Sequence, residues 1–171
     1  MKSLTRPELD ALLAVAFKHS ELDFLMLATI FNHGLRVSEA VSLTRANIVD
    51  GYIVVQRGKG SRKTSQPLQG NEKIGLESLA VACGTGEKFF KMDRTTAWRR
   101  VQKYGQEAGI AKFKCHPHAL KHTTGRLGYQ GGMGIPELQV WLGHVSGSST
   151  MVYLQASEEQ AAAAFSAAVG K

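Results

Sequence analysis

Apolar residues recur at helical spacing from the start of the chain. Leu9, Leu12, Leu13, Ala16 and Phe17 follow Thr5-Arg6-Pro7-Glu8, a capping-box pattern with proline in the first turn. A second helix is predicted from about Glu21 to Asn32, apolar at Phe24, Leu25, Leu27, Ala28 and Phe31. Gly34 ends it, and a short third helix carries Arg36 to Leu43. The period then changes. Tyr52-Ile53-Val54-Val55-Gln56 is short and β-branched, Gly58-Lys59-Gly60-Ser61 is a turn, and Lys63 to Leu68 returns as a second strand. The pair predicts a hairpin with a basic tip of Arg57, Lys59, Arg62 and Lys63, and Phe89 with Phe90 is read as a third strand.

Helical spacing resumes from about Asp93 to Ala108, with Trp98, Val101 and Tyr104 inward and Arg94, Arg99, Arg100 and Lys103 outward. Pro117 opens a helix running from about His118 to Gly128, before Gly131-Gly132 breaks it. Ile135 to Leu142 forms another short helix closed by Gly143. Ser157-Glu158-Glu159-Gln160 heads an Ala-rich tail helix to Val169. No repeat or linker interrupts this series. The expected fold is mainly α with a small antiparallel β-sheet, in a single domain over residues 1–171.

Composition narrows the class. The 43% hydrophobic content suits a globular core, and no apolar run is long enough to span a membrane. The start of the chain has no apolar signal segment, so a cytoplasmic location is expected. Cys83 and Cys115 stand apart, without a metal-binding spacing, and are read as reduced thiols. The formal charge of +7 favours a polyanionic partner.

The candidate chemistry lies in three C-terminal pieces and one upstream piece. These are His116-Pro117-His118-Ala119-Leu120-Lys121-His122, Leu142-Gly143-His144, Tyr153, and Gly34-Leu35-Arg36-Val37-Ser38-Glu39. They supply cations, imidazoles and a phenol. A phenol with an ordinary pKa near 10 needs a base or a positive field to attack a phosphodiester. Charge gathering on the non-bridging oxygens needs fixed cations, and the departing alkoxide needs a proton. Arg36, Lys59, Lys121 and the histidines fit those demands. A metal route is not expected: the acidic residues are scattered, and His118 with His122 lacks the glutamate of the HExxH pattern. Singly, each feature also has a plain structural reading. Arg36 and Glu39 make a surface ion pair, Lys59 a solvated turn, the histidines helix caps, and Tyr153 a packing residue.

In order and at this spacing, the pieces resemble the catalytic domain of the tyrosine recombinases, the phage-integrase family. Leu4-Thr5-x-x-Glu8 resembles that domain's start, and Gly34-Leu35-Arg36-Val37-Ser38-Glu39 its first-arginine motif. Gly58-Lys59-Gly60 resembles its lysine hairpin, and His118-x-Leu120-Lys121-His122 its H-x-L-R-H box, with lysine in place of the second arginine. Leu142-Gly143-His144 and Tyr153 resemble its last histidine and its nucleophile. The resemblance implies a fold like that of type IB topoisomerases and site-specific strand exchange on double-stranded DNA without cofactor or metal. Tyr153 would form a 3′-phosphotyrosine, with Arg36, Lys121 and His144 holding the phosphate. His118 would assist proton movement, Lys59 would protonate the leaving oxygen, and Glu39 and His122 would support the site. Arg57, Arg62, Lys63, Arg99 and Arg100 are expected DNA contacts. The Ala-rich tail is expected to pack on a neighbour in a tetramer on paired sites. The family's N-terminal core-binding domain is expected to be absent. The rival reading is a DNA-binding module with this fold and weakened or lost catalysis, motivated by Lys121; a less selective strand-relaxing enzyme is a third.

Overall fold

The computed structural model describes residues 3–58 and 61–145, together with Thr150 and Ser166. The first helix, α1, spans Arg6–His19. Its capping box forms as predicted: Thr5 Oγ1 accepts from the Glu8 N–H at 3.3 Å, and Glu8 Oε2 accepts from the Thr5 N–H at 2.7 Å. Helix α2, Glu21–His33, is capped by Ser20 and is buried along most of its length, from Leu25 through Ile30. A helix so apolar on all sides belongs in the centre, and α1, α2's neighbour, shields it from solvent. The short α3 covers Val37–Ala40.

Three antiparallel strands follow in the order β1 (Ile48–Val49), β2 (Tyr52–Val55) and β3 (Thr64–Pro67). Ile53 pairs with Gln66 and Val55 with Thr64, so Ile53, Val55, Thr64 and Gln66 all face inward. β1 is an addition to the predicted hairpin. It is joined to β2 by Asp50-Gly51, both at positive φ (49° and 78°), the left-handed pair that a tight hairpin requires.

Phe89 and Phe90 do not form a strand. Both are buried, at 2% and 0% exposure, whereas consecutive strand residues point to opposite faces. Only an isolated bridge between Thr44 and Lys88 precedes them. Between β3 and these phenylalanines lies α4, Gly70–Ala82, which the periodicity did not predict. Helix α5, Arg94–Glu107, buries Ala97, Val101, Tyr104 and Gly105. Trp98, expected inward, is 42% exposed: at about 100° per residue it lies at the edge of that stripe, about 60° from Val101. Helices α6, Pro117–Gln130, and α7, Ile135–Leu142, complete the core around α2. Among the described residues, no helix is long and apolar enough to cross a membrane.

Candidate active site

Two helix ends with the same construction carry the candidate residues. At the end of α2, Gly34 takes the left-handed conformation (φ 57°), and the Leu35 N–H returns to the Ile30 carbonyl at 3.0 Å. At the end of α7, Gly143 does the same (φ 68°), and the His144 N–H returns to the Gln139 carbonyl at 3.0 Å. The first turn delivers Arg36 and the second His144. The two turns touch: a Cβ added to Gly34 would lie 2.5 Å from Leu142 Cδ2.

Arg36 is the residue before α3, and Glu39 folds back to accept its backbone N–H at 2.8 Å. The same carboxylate accepts from Arg36 Nη1 at 2.9 Å, the Gly58 N–H at 2.9 Å and Arg57 Nη1 at 3.3 Å. Burial would raise the Glu39 pKa, but the Arg36 and Gly58 N–H groups with the two guanidiniums hold it below the usual carboxylate range. The Arg36 side chain keeps 37% of its surface open, against 5% for Glu39. Arg36 Nη1 also donates to Ser61 Oγ at 3.2 Å, and Ser61 bridges to His144 through the backbone. Beside this, the Arg62 N–H donates to the Gly143 carbonyl at 3.0 Å. The far end of the hairpin is thereby stitched to both turns.

Helix α6 contributes the imidazoles. His118 and His122 are one turn apart, with ring centroids 4.4 Å apart and edge to face. Surrounding protein, then the charges of His122, Lys121, His116 and Arg36, lower the His118 pKa. His118 still reaches solvent, which screens those charges more than at His144. His144 is buried, and its Nδ1 lies 3.0 Å from Thr150 Oγ1. Burial, followed by Lys121, Arg36 and Arg57, lowers its pKa to about 4. The arrangement is a cationic cluster, open to solvent at Arg36 and His118, in which neutral imidazoles stand beside the accessible guanidinium, suited to an anion.

A sequence model of the phage integrase family matches residues 2–160. The chain belongs to that family. A tyrosine recombinase of Pseudothermotoga lettingae is 32% identical over 90% of this chain and 56% of its own length. The tyrosine recombinase XerD of Vibrio cholerae is 33% identical over 93% of this chain and 58% of its own. The chain thus spans a little over half the length of these curated relatives. In fold it is similar to a XerA recombinase (TM-score 0.77, 23% identity, 98% of this chain and 65% of that one). It is also similar to the catalytic domain of bacteriophage HP1 integrase (TM-score 0.69, 21% identity, 95% and 92%). The mainly helical domain with a small antiparallel sheet is therefore the fold of this family's catalytic domains.

Within this phage integrase domain, Arg36, Glu39, His118, Lys121, His122 and His144 converge. Lys59 and Tyr153 lie outside the described residues, as does the tail segment 157–169 apart from Ser166. Arg62 and Lys63 are exposed as expected, and Arg99 is exposed on α5. Arg57 is a correction. It is not at a solvated tip but 3% exposed, donating to Thr64 Oγ1 (2.8 Å) and to the carbonyls of His33 (2.8 Å), Gly34 (3.1 Å) and Trp141 (3.2 Å). Val55 and Arg57 are two apart and share the inward face, and four oxygen acceptors besides Glu39 make an arginine tolerable there. Arg100 is drawn to the buried Asp23, which also accepts from the Tyr104 hydroxyl at 2.5 Å, so it is an ion-pair partner before it is a DNA contact. Lys121 is likewise withdrawn, at 3% exposure.

Sequence reading missed Ser61 and Thr150. Ser61 stood in a turn motif that explained it fully, and Thr150 carried no signal. Lys121 was legible in part: Pro117, Leu120, Lys121 and Thr124 form one stripe of α6, so a lysine at that position is a buried lysine.

Proposed function

We propose that this chain is the catalytic domain of a site-specific DNA recombinase of the tyrosine type. The observation that carries the reading is the junction of Arg36, Ser61 and His144. It joins an accessible guanidinium and a buried imidazole across two helix ends in one cationic cluster. Relatives of this fold are described in DNA complexes: XerH recombinase on a difH substrate after cleavage, and a lambda integrase dimer on a core site. Double-stranded DNA is the partner proposed here.

In the reaction, the Tyr153 oxygen bonds to the scissile phosphorus and the bond from phosphorus to the 5′-oxygen breaks. The phenol proton passes to a base, for which the neutral His118 is suited, and the 5′-oxygen takes a proton from Lys59. Arg36 and His144 stabilise charge on the non-bridging oxygens. The 3′-phosphotyrosine keeps the bond energy, so reversal by another strand's 5′-hydroxyl needs no nucleotide, and no step calls on a metal. The segment 157–169 is proposed to pack on a neighbouring copy, giving a tetramer on paired sites.

The test is covalent trapping, with chelator present, on nicked DNA carrying the junction sequences of the phage or mobile element proposed to encode this chain. The expected result is a denaturation-resistant adduct in the wild type and none in Tyr153→Phe. Particle mass on paired sites, with and without the tail after Ala156, checks the assembly; an unchanged mass would remove the exchange. Burial of Lys121 favours one second reading, a binding module without catalysis. DNA binding with no adduct on any junction sequence would favour it over the recombinase.

A further inference from the structure

Lys121 is the buried cation whose geometry departs most from the role its position suggests. Its Nζ donates to the Gly34 carbonyl at 2.6 Å and to the Leu142 carbonyl at 3.1 Å. Both oxygens belong to helix ends, where carbonyls have no partner inside their own helix. Gly34 stands two residues before Arg36, and Leu142 two residues before His144. One ammonium therefore fastens the backbone at the same offset ahead of each candidate phosphate ligand. At 3% exposure it presents almost no surface to an incoming anion. A lysine suits this task, since its single nitrogen on a flexible stem can sit between two turns that touch through Gly34 and Leu142.

We infer that Lys121 is a positioning residue that clasps the Arg36 turn to the His144 turn, and is not itself a ligand of the scissile phosphate. The inference rests on the recombinase reading, which wild-type adduct formation tests separately. Burial first, with Arg57 and Arg36 nearby, lowers the Lys121 pKa to about 7, while Glu39 opposes the shift; the clasp does not depend on the charge, since a neutral amine still has two N–H groups for the two carbonyls.

The decisive experiment compares wild type, Lys121→Met and Lys121→Arg on the trapping substrate, with DNA affinity measured across salt concentrations on the acid side of the lowered lysine pKa. Loss of the clasp misplaces Arg36 and His144, so Lys121→Met should cleave about 100-fold more slowly. Its salt dependence of binding should match wild type, because the substitution leaves every cation that meets a phosphate in place. Lys121→Arg can still donate to both carbonyls and should restore most of the rate. A salt slope shallower by about 0.9 in Lys121→Met would mark the removal of a phosphate ligand and overturn the inference. So would wild-type cleavage by that variant. If Lys121→Met does not fold, a crystal structure of Tyr153→Phe with uncleaved DNA decides. Nζ on the two carbonyls supports the clasp; Nζ on a phosphate oxygen with both carbonyl bonds broken removes it.

Discussion

His144 has its ring buried beside Thr150 and within the influence of Lys121, Arg36 and Arg57, and these conditions make its charged form costly. An unfolded imidazole titrates near 6.5, and here the pKa falls to about 4. Between those values the unfolded chain binds a proton that the folded chain refuses. The stability His144 contributes is therefore present above pH 6.5 and is lost as the pH falls towards 4. The urea midpoint should drop over that window, and His144→Gln should reduce the slope. The slope should not vanish, since His118 and His122 are shifted in the same direction. An unchanged slope in His144→Gln would show that its environment does not disfavour the charge.

At the scale of elements, both active turns depend on left-handed glycines. Gly34→Ala would force a Cβ onto φ 57° and to within 2.5 Å of Leu142 Cδ2. The backbone term alone costs about 1–2 kcal/mol. Equilibrium unfolding should show at least that loss, and cleavage should fall with it because Leu142 leads into His144. Most elements were legible where caps and periods agreed: Thr5 and Glu8 for α1, Gly34 for α2, and Gly143 for α7. Helix α4 was not, because Gly70 and Gly75 weaken its propensity and Ile74 and Val81 are exposed at 69% and 87%, which blurs any apolar stripe. Gly75 is there to let Leu25 of α2 approach: a Cβ would sit 2.9 Å from its methyl groups. That reason lies in tertiary packing and leaves no local mark. β1 was missed although Asp50-Gly51 announced its turn, since two residues are too few for an alternating pattern.

For the whole molecule, a positive formal charge of 7 says that a polyanion is favoured but not which cations meet it. Burial sorts them. Arg57 is fully committed to protein oxygens, while Arg62 and Lys63 on the same hairpin are exposed. Replacing Arg62 and Lys63 together by alanine should weaken DNA binding and lower the salt slope by up to about 0.9 for each phosphate left without its cation. Arg57→Met should instead lower the unfolding midpoint and leave the slope of the folded fraction unchanged; fluorescence titrations across salt would separate the two. Arg36, Glu39, His118, Lys121, His122 and His144 could be named together because each sits in a short motif, whereas Thr150 carried no such mark. Whether a cation faces inward or outward was not legible, because that depends on which carbonyls the fold brings near it.

The carbonyl contacts of Arg57 and Lys121 also have an electrostatic consequence. The C-terminal ends of α2 and α7 meet at the Arg36 and His144 turns, and each presents roughly half a negative charge from its aligned peptide dipoles. Left bare, they would repel the anion the site is built to hold. With Lys121 protonated, the two buried cations balance those two half-charges and the carboxylate of Glu39. The interior is then close to neutral, and the open part of the Arg36 guanidinium, beyond the nitrogen that Glu39 holds, is left to a ligand.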